Sequence, residues 1–212
     1  MITVYGRRNS SSVQLVMWAI HELGLEHQRL DYGHGHKATN TDAYLAMNPM
    51  GRVPALVDGE VSLFESAAIL RYLAAQYGNE DFWPSNPERR AELDKWAEWG
   101  KITFTEAVLD IFVYDVRLDP QTRDPAVLHS AAQKVSGLAR LLDDRIGTGP
   151  YLCSSTLTFA DIACGHILYR YFNLDWSRPE LPNLKSYYER LKKRPAFSDN
   201  VMISYEDLRG SY

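Results

Sequence analysis

The order of local patterns constrains the fold of this chain most strongly, because strand-like patterns occur only in its first 64 residues. "ITVY" at 2–5 and "EHQRLDY" at 26–32 are short runs with the β-branched or alternating character of strands. The segment 12–25 lies between them and carries apolar residues at helical spacing, with Gly24 where a helix commonly ends. A strand, a helix and a second strand therefore open the chain.

The same part of the chain continues with a predicted hairpin between two helices. Its elements are a short helix at 41–49, strands at 54–57 and 61–64, and a helix at 65–78. Asp58-Gly59 joins the two strands, and this dipeptide is a strong hairpin signal. The order βαβαββα predicts a small mixed sheet with helices packed on it.

A stretch without periodicity, "NEDFWPSNPERR" at 79–90, separates this α/β part from an all-α part. We predict domains at 1–79 and 88–212, with a linker at 80–87. The predicted helices of the second domain are one long or kinked helix at 87–117 and helices at 124–147, 158–172 and 181–195. Thr158 and Asp161 form a capping-box pattern at the start of the most apolar helix, which indicates a structural role.

Charge and composition exclude several classes of partner. The net charge is −4 and "RLKKR" at 190–194 is the only dense basic run, which argues against nucleic-acid binding. No run approaches the ~18 apolar residues of a membrane span.

Cys153 and Cys164 are the only cysteines and have no metal or redox spacing, so we expect a cytoplasmic protein without disulfides. His34 and His36 lie on a polar loop and make a poor metal site, so we expect no metal.

Two polar segments are candidates for ligand binding as well as for structure. The run Ser10, Ser11, Ser12 either caps the first helix or directs one hydroxyl at a ligand. Glu65-Ser66 either caps the next long helix or holds an amino-acid head group, with its carboxylate on the helix N-terminus and its ammonium on Glu65.

Four motifs in register, the first of them in two pieces, give the chain a family resemblance. They are "VYGRRNSSSVQ" at 4–14, "ELGLEHQ" at 22–28, "NPMGRVPAL" at 48–56, "LFESAAILRYLAAQYG" at 63–78 and "LTFADIA" at 157–163. With these motifs the chain resembles the cytosolic glutathione transferases of bacteria, of a serine type similar to the zeta, theta and nu-like classes. The resemblance implies a thioredoxin-like N-terminal domain, a C-terminal helical bundle, a homodimer and a role in detoxification. It also implies glutathione as co-substrate, without a metal, and a small hydrophobic electrophile as second substrate.

The resemblance also implies site residues for glutathione. Val53, before a proline that is usually cis in this fold, is expected to bind through its backbone, and Glu65 and Ser66 are expected at the γ-glutamyl group. Lys37 and Arg52 are candidates for the glycine carboxylate.

The resemblance makes Ser10 the first candidate for thiol activation, because serine-type classes such as zeta place the activating hydroxyl there, and Ser11 is the second. Ser12 is the third, because similar bacterial proteins carry Asn at that position. The thiol of free glutathione resembles that of cysteine, with a pKa of about 8.5. Lowering this pKa by about two units requires roughly 2.7 kcal/mol. One hydrogen bond to a charged group contributes about 1.5–3 kcal/mol, so a hydroxyl suffices without a general base.

The second-substrate pocket is predicted on the long helix after the linker. Its expected lining residues are Phe104, Val108, Ile111, Phe112 and Tyr114, with Arg117 and Arg123 as further polar contacts. Two other functions stay open: a glutathione-dependent isomerase or disulfide reductase on the same fold, and a non-catalytic binding module. The resemblance places the catalytic cysteine of glutaredoxin or omega-type relatives within residues 7–13, and this chain has none there. We therefore expect no disulfide chemistry through an enzyme thiol.

Overall fold

A four-stranded mixed sheet forms the N-terminal part of the computed structural model, which describes residues 1–211. Its strands are β1 (Ile2–Tyr5), β2 (His27–Leu30), β3 (Ala55–Asp58) and β4 (Val61–Phe64). The spatial order is β2-β1-β3-β4, with β1 parallel to β2 and antiparallel to β3, and β3 antiparallel to β4. This arrangement confirms the predicted mixed sheet.

The hairpin loop lies one residue later than the sequence predicts. Asp58 pairs with Val61, so the connection consists of Gly59 and Glu60 rather than Asp58 and Gly59. Gly59 adopts a φ of +58°, which a glycine accepts without steric cost. The glycine therefore fixes the turn, and Asp58 belongs to the strand.

Three helices complete the N-terminal part: α1 (Ser11–Glu22), α2 (Asp42–Leu45) and α3 (Ser66–Tyr77). Helix α1 packs against α3, and residues Val13–Ile20 of α1 are all buried. Burial on every side follows because α1 also contacts helices of the second part of the chain. The predicted order βαβαββα is confirmed.

Seven helices follow in the rest of the described chain. They are α4 (Pro87–Trp99), α5 (Thr105–Phe112), α6 (Pro125–Ile146), α7 (Phe159–Gly165), α8 (Leu168–Asn173), α9 (Pro182–Lys192) and α10 (Pro195–Val201). Helix α3 ends at Tyr77 and α4 begins at Pro87. The boundaries 1–79, 80–87 and 88–212 stay a prediction of the domain limits. No helix in residues 1–211 is long and apolar enough to cross a membrane.

The predicted long helix over 87–117 is a continuous helical run with two wider π-helical turns. These turns are Gly100–Phe104 and Val113–Arg117. At Gly100 the run meets α7 so closely that an added Cβ would lie 2.4 Å from the Cys164 sulfur. A glycine is needed there because any side chain would push α7 away.

The predicted single helix over 158–172 is interrupted, since α7 ends at Gly165 and α8 begins at Leu168. His166 Nδ1 lies 2.9 Å from the Ala163 carbonyl oxygen. In a continuing helix that carbonyl accepts the N–H of Ile167. The imidazole takes the place of this backbone donor, which accounts for the break.

The predicted capping box at the start of α7 is confirmed. Asp161 Oδ2 accepts hydrogen bonds from the Thr158 backbone N–H at 2.8 Å and from the Thr158 hydroxyl at 2.9 Å. Asp161 Oδ1 accepts from the Leu152 N–H at 2.8 Å and the Tyr187 hydroxyl at 2.9 Å. One buried carboxylate thus ties α7 to α9 and to the preceding loop.

Candidate active site

The polar motifs predicted from the sequence lie together at one end of the sheet, where β1 and β4 end and β3 begins. Tyr5, Ala55 and Phe64 form one row across β1, β3 and β4. Because β1 and β4 run in the same direction, the starts of α1 and α3 lie at the same end of the sheet as Pro54. Adjacent strands are about 4.8 Å apart, so the row spans about 10 Å. An extended tripeptide has a similar length, at about 3.3–3.6 Å per residue.

Ser10 is the N-cap residue of α1, but its hydroxyl does not cap the helix. Its backbone is extended, with φ −82° and ψ 123°, and its side chain forms no cap hydrogen bond. The Ser10 carbonyl accepts the Gln14 N–H at 2.8 Å, as the first carbonyl of a helix does. Ser10 and Ser11 are each 8% exposed, whereas Ser12 is more exposed. The Ser10 hydroxyl therefore does not cap α1.

The loop before Ser10 is fixed by distant residues. Both Asp207 carboxylate oxygens accept hydrogen bonds from the Asn9 side-chain amide at 2.8 Å. Arg170 Nη2 donates to the Asn9 carbonyl oxygen at 2.8 Å. The Arg7 N–H donates to the Tyr32 carbonyl at 3.0 Å. Asn9, Arg170 and Asp207 were not predicted, because no local pattern connects positions that lie 161 and 198 residues apart.

Val53 lies beside the start of α1, and the Val53-Pro54 bond is cis, as predicted. A Cβ at Gly6 would lie 3.2 Å from the Val53 Cβ and 2.5 Å from a Val13 methyl carbon. Only a residue without a side chain allows this close approach.

The residue before Val53 is held firmly as well. The Arg52 carbonyl accepts the Tyr44 hydroxyl at 2.8 Å and the Asn48 side-chain amide at 2.6 Å. Two donors on one carbonyl fix the backbone that leads into Val53.

Glu65 has a strained backbone at the start of α3. It is the only non-glycine residue in 1–211 with a positive φ, at +67°. Such a conformation costs of order 1–3 kcal/mol and is found mainly at functional sites. Ser66, the first residue of α3, is 2% exposed, whereas Glu65 is exposed. The Glu65 carboxylate is therefore accessible next to the N–H groups that begin α3.

The other two glutathione candidates lie on loops near β2 and β3. Lys37 is exposed, with its ammonium 5.5 Å from the centre of the Tyr32 ring. Arg52 is exposed and precedes Val53. His36, next to Lys37, lines a surface cavity of about 550 Å³ together with Arg8 and Asn9.

The predicted lining residues of the second-substrate pocket lie mainly in the core. Phe104, Val108, Ile111 and Phe112 are at most 1% exposed, so they present no open surface. Tyr114, at 9% exposed, is the one that borders a surface cavity, of about 700 Å³. The first four lie on the apolar face of α5 and of the π-helical turn before it, and this face is directed to the interior of the helical bundle. Their place in a second-substrate pocket stays a prediction.

Burial disfavours the thiolate form of both cysteines. Burial raises the pKa of the Cys164 thiol well above its ordinary value. Burial also raises the pKa of the half-buried Cys153. A raised pKa keeps a thiol protonated and unreactive. Within the part of the chain that the structure describes, no cluster of three His, Cys, Asp or Glu residues could hold a metal ion.

Comparison with known families gives two matches along the chain. Residues 1–75 match the model of the glutathione S-transferase N-terminal domain. Residues 125–190 match the model of the glutathione S-transferase C-terminal domain.

Individual relatives agree with these matches. Glutathione S-transferase GstB of Escherichia coli K12 is 37% identical over 205 residues, which cover 96% of this chain and 99% of the relative. Glutathione S-transferase F13 of Arabidopsis thaliana is 28% identical and covers 92% of both chains. A solved theta class glutathione S-transferase from Xanthomonas axonopodis pv. citri, with glutathione bound, superposes with a TM-score of 0.90. It is 38% identical over 96% of this chain and 98% of that one.

Proposed function

Because this chain belongs to the glutathione S-transferase family, we propose that it joins the sulfur of glutathione to a small electrophile after Ser10 has activated the thiol. The observation that carries the assignment of Ser10 is its position as an N-cap whose hydroxyl caps nothing. Ser11 and Ser12 are the second and third candidates. Ser11 is as buried as Ser10 but lies within the first turn of α1, and Ser12 is farther along that turn.

Glutathione is proposed to lie across the end of the sheet that is marked by the row Tyr5, Ala55 and Phe64. The Val53 backbone pairs with the peptide, and Glu65 and Ser66 bind the γ-glutamyl group, with its carboxylate on the N–H groups of α3. Lys37 and Arg52 are proposed for the glycine carboxylate. This placement leaves the sulfur at the start of α1.

The serine hydroxyl then acts by electrostatics alone. It donates a hydrogen bond to the sulfur and favours the thiolate, an effect of about 1.5–3 kcal/mol. The N-terminus of α1 adds about 0.3–1 kcal/mol. The thiol proton leaves to solvent, and the thiolate forms a bond to the electrophilic carbon as the leaving group departs. No enzyme base is required.

The first test uses immobilised glutathione and a neutral electrophile, 1-chloro-2,4-dinitrobenzene. We expect the protein to be retained on the resin and to release chloride in proportion to conjugate formed. Retention without turnover would favour the non-catalytic binding module. Turnover only of a disulfide or of an isomerisable double bond would favour the reductase or the isomerase on this fold.

A homodimer is proposed through the edge strand β4 and its exposed neighbours. Several large apolar side chains of the N-terminal part are at least 37% exposed: Met50, Val61, Phe64 and Tyr77. Val61 and Phe64 belong to β4, which pairs on one side only, with β3. A second copy of the chain would cover this surface. Sedimentation equilibrium should give twice the monomer mass, and a monomer at micromolar concentration would contradict the proposal.

A cytoplasmic location and a role in detoxification are also proposed. Two unpaired cysteines are typical of a reducing compartment. Conjugation of electrophiles to glutathione removes reactive carbon centres. Fractionation of the source cells would test the location, and loss of the gene should sensitise them to electrophiles.

Replacing Glu65 with glycine should stabilise the fold and weaken the binding of glutathione. Glycine accepts the positive φ of Glu65, so removing the strain should raise the free energy of unfolding by about 1 kcal/mol. Loss of the carboxylate should weaken glutathione binding roughly tenfold or more. Urea denaturation and isothermal titration measure the two effects. Glu65→Ala is the control: it should lose the same affinity and gain no stability, and equal stability of the two variants would contradict the strain argument.

A further inference from the structure

Arg170 is a buried cation beside the loop that leads into Ser10. It lies on α8 and is 4% exposed. Its Nη2 atom donates to the Asn9 carbonyl oxygen at 2.8 Å, and its guanidinium carbon lies 4.0 Å from the centre of the Phe112 ring. The guanidinium is therefore fixed between this loop and the end of α5.

No carboxylate pairs with Arg170 within residues 1–211. None of the ion pairs in this part of the chain includes it. Its Nε atom is buried without a hydrogen-bond partner. A buried charge costs free energy unless an opposite charge approaches it, so an anion that forms nearby would be stabilised.

The ionisable groups that act on Arg170 bring no negative charge at neutral pH. Burial raises the pKa of Tyr205 to about 12 and lowers the pKa of His166 to about 3, so both side chains are neutral. Burial, with the positive charges of Arg117 and Arg7, lowers the pKa of Arg170 to about 9. The Arg170 guanidinium therefore stays protonated and unbalanced.

Covalent geometry keeps the Ser10 hydroxyl close to this charge. Four bonds join the Asn9 carbonyl carbon to Ser10 Oγ, so the Asn9 oxygen and Ser10 Oγ are at most about 5 Å apart. With the hydrogen bond to Asn9 added, Arg170 Nη2 lies at most about 8 Å from the Ser10 hydroxyl. A sulfur that is hydrogen-bonded to this hydroxyl lies at most about 11 Å from the same nitrogen.

A charge at this distance is large enough to affect the glutathione thiol. At an effective dielectric constant of about 20, a unit charge about 10 Å away changes a pKa by about one unit. Salt screens a buried charge much less than an exposed one. Arg170 can therefore add to the effect of the Ser10 hydroxyl.

We propose that Arg170 is a positioning residue with a second, electrostatic function: it holds Asn9, and its buried charge favours the thiolate form of the glutathione that Ser10 activates. The inference rests on the proposed function. Arg170 neither accepts nor donates the thiol proton, which leaves to solvent.

Removing the charge of Arg170 should raise the thiol pKa of bound glutathione by about half a unit to one unit. Arg170→Gln keeps an N–H donor, whereas Arg170→Met has none. Both variants lose the charge, so a similar shift in both assigns the effect to the charge. Ultraviolet absorbance of the thiolate in the binary complex, titrated against pH, measures the shift.

Two control variants separate the charge from the position of the loop. Arg140→Gln removes an exposed arginine of α6 and should leave the thiol pKa unchanged. Asp207→Asn removes a negative charge beside Asn9 and keeps an oxygen that can accept from the Asn9 amide. It should lower the thiol pKa by a few tenths, because its exposed charge is partly screened. This direction is opposite to that of the Arg170 variants.

Binding of S-methylglutathione gives a readout that a displaced loop would not reproduce. This analogue cannot form a thiolate, so Arg170→Gln should bind it as the wild-type protein does. At pH 8 a bound-thiol pKa that is higher by half a unit to one unit weakens glutathione binding about threefold to eightfold. Isothermal titration measures the ratio of the two dissociation constants, and Arg170→Met serves for the same measurement if Arg170→Gln folds poorly.

Four results would overturn the inference. The first is a wild-type thiol pKa in both Arg170 variants. The second is a shift in Arg170→Met alone, which would assign the effect to the hydrogen bond with Asn9. The third is an equal loss of affinity for glutathione and S-methylglutathione, and the fourth is a thiol pKa raised by Asp207→Asn. A wild-type protein that binds no glutathione, or leaves its thiol pKa unchanged, would instead reject the proposed function.

Discussion

Replacing Ser10 with alanine is expected to raise the thiol pKa of bound glutathione by one to two units and to slow conjugation at neutral pH about tenfold to a hundredfold. The reason is that the variant loses the hydroxyl donor to the thiolate, worth about 1.5–3 kcal/mol. Ultraviolet absorbance of the thiolate in the binary complex, titrated against pH, measures the pKa directly. Glutathione affinity measured well below both pKa values should change little, because the thiol is protonated in both proteins.

The direction of the pH effect follows from the lowered thiol pKa. Between the wild-type pKa and the variant pKa, only the wild-type complex holds a large thiolate fraction, so the difference in rate is greatest there. Above the variant pKa both complexes are ionised and the two rates should converge.

Ser12→Ala and Ser11→Ala are the matched controls, since each removes one hydroxyl from the same turn. Both should leave the thiol pKa within a few tenths of the wild-type value. If Ser10→Ala keeps the wild-type pKa while one of the other variants raises it, the assignment passes to that serine.

Asp161→Ala should have the largest effect on stability. The side chain is fully buried and accepts hydrogen bonds from two backbone N–H groups and from the Thr158 and Tyr187 hydroxyls. Its removal leaves four buried donors without an acceptor, and we expect a loss of about 3–5 kcal/mol in the free energy of unfolding. For a chain of this size, each kcal/mol lowers Tm by about 2–4 °C. Chemical denaturation and calorimetry measure the change.

Asp161→Asn tests whether acceptor character is required. An amide of the same shape turns an N–H₂ group toward one pair of donors, so we expect a loss nearly as large as with alanine. Glu88→Ala removes an exposed acid from the first turn of α4 and should cost under about 1 kcal/mol. An asparagine variant as stable as the wild-type protein would contradict this account.

Local sequence patterns predicted most of the architecture because caps, turns and apolar periodicity act over a few residues. The capping box at Thr158 and Asp161 and the order of strands and helices are examples. The break at His166 escaped prediction, since it depends on an imidazole that bonds its own helix.

The site could be predicted only in part, because a local sequence pattern does not show where its residues lie in the tertiary structure. Phe104 and Phe112 have the spacing of a helix face, but periodicity does not distinguish a face that lines a cleft from one that enters a core. The serine run at 10–12 predicted the start of α1, because serine is common at the N-cap position. Arg170 and Asp207 act on that turn only through the folded chain, so no window of sequence contained the information.

The hydrogen bonds that connect Asn9 to Arg170 and Asp207 limit how chimeras of this protein can be built. The first 79 residues contain every proposed glutathione contact, so exchanging them between relatives transplants the whole recognition surface. The geometry of Ser10 depends in addition on Arg170 and Asp207, which the exchanged segment does not contain. A hybrid that inherits mismatched partners at positions 170 and 207 should capture glutathione and leave its sulfur unactivated.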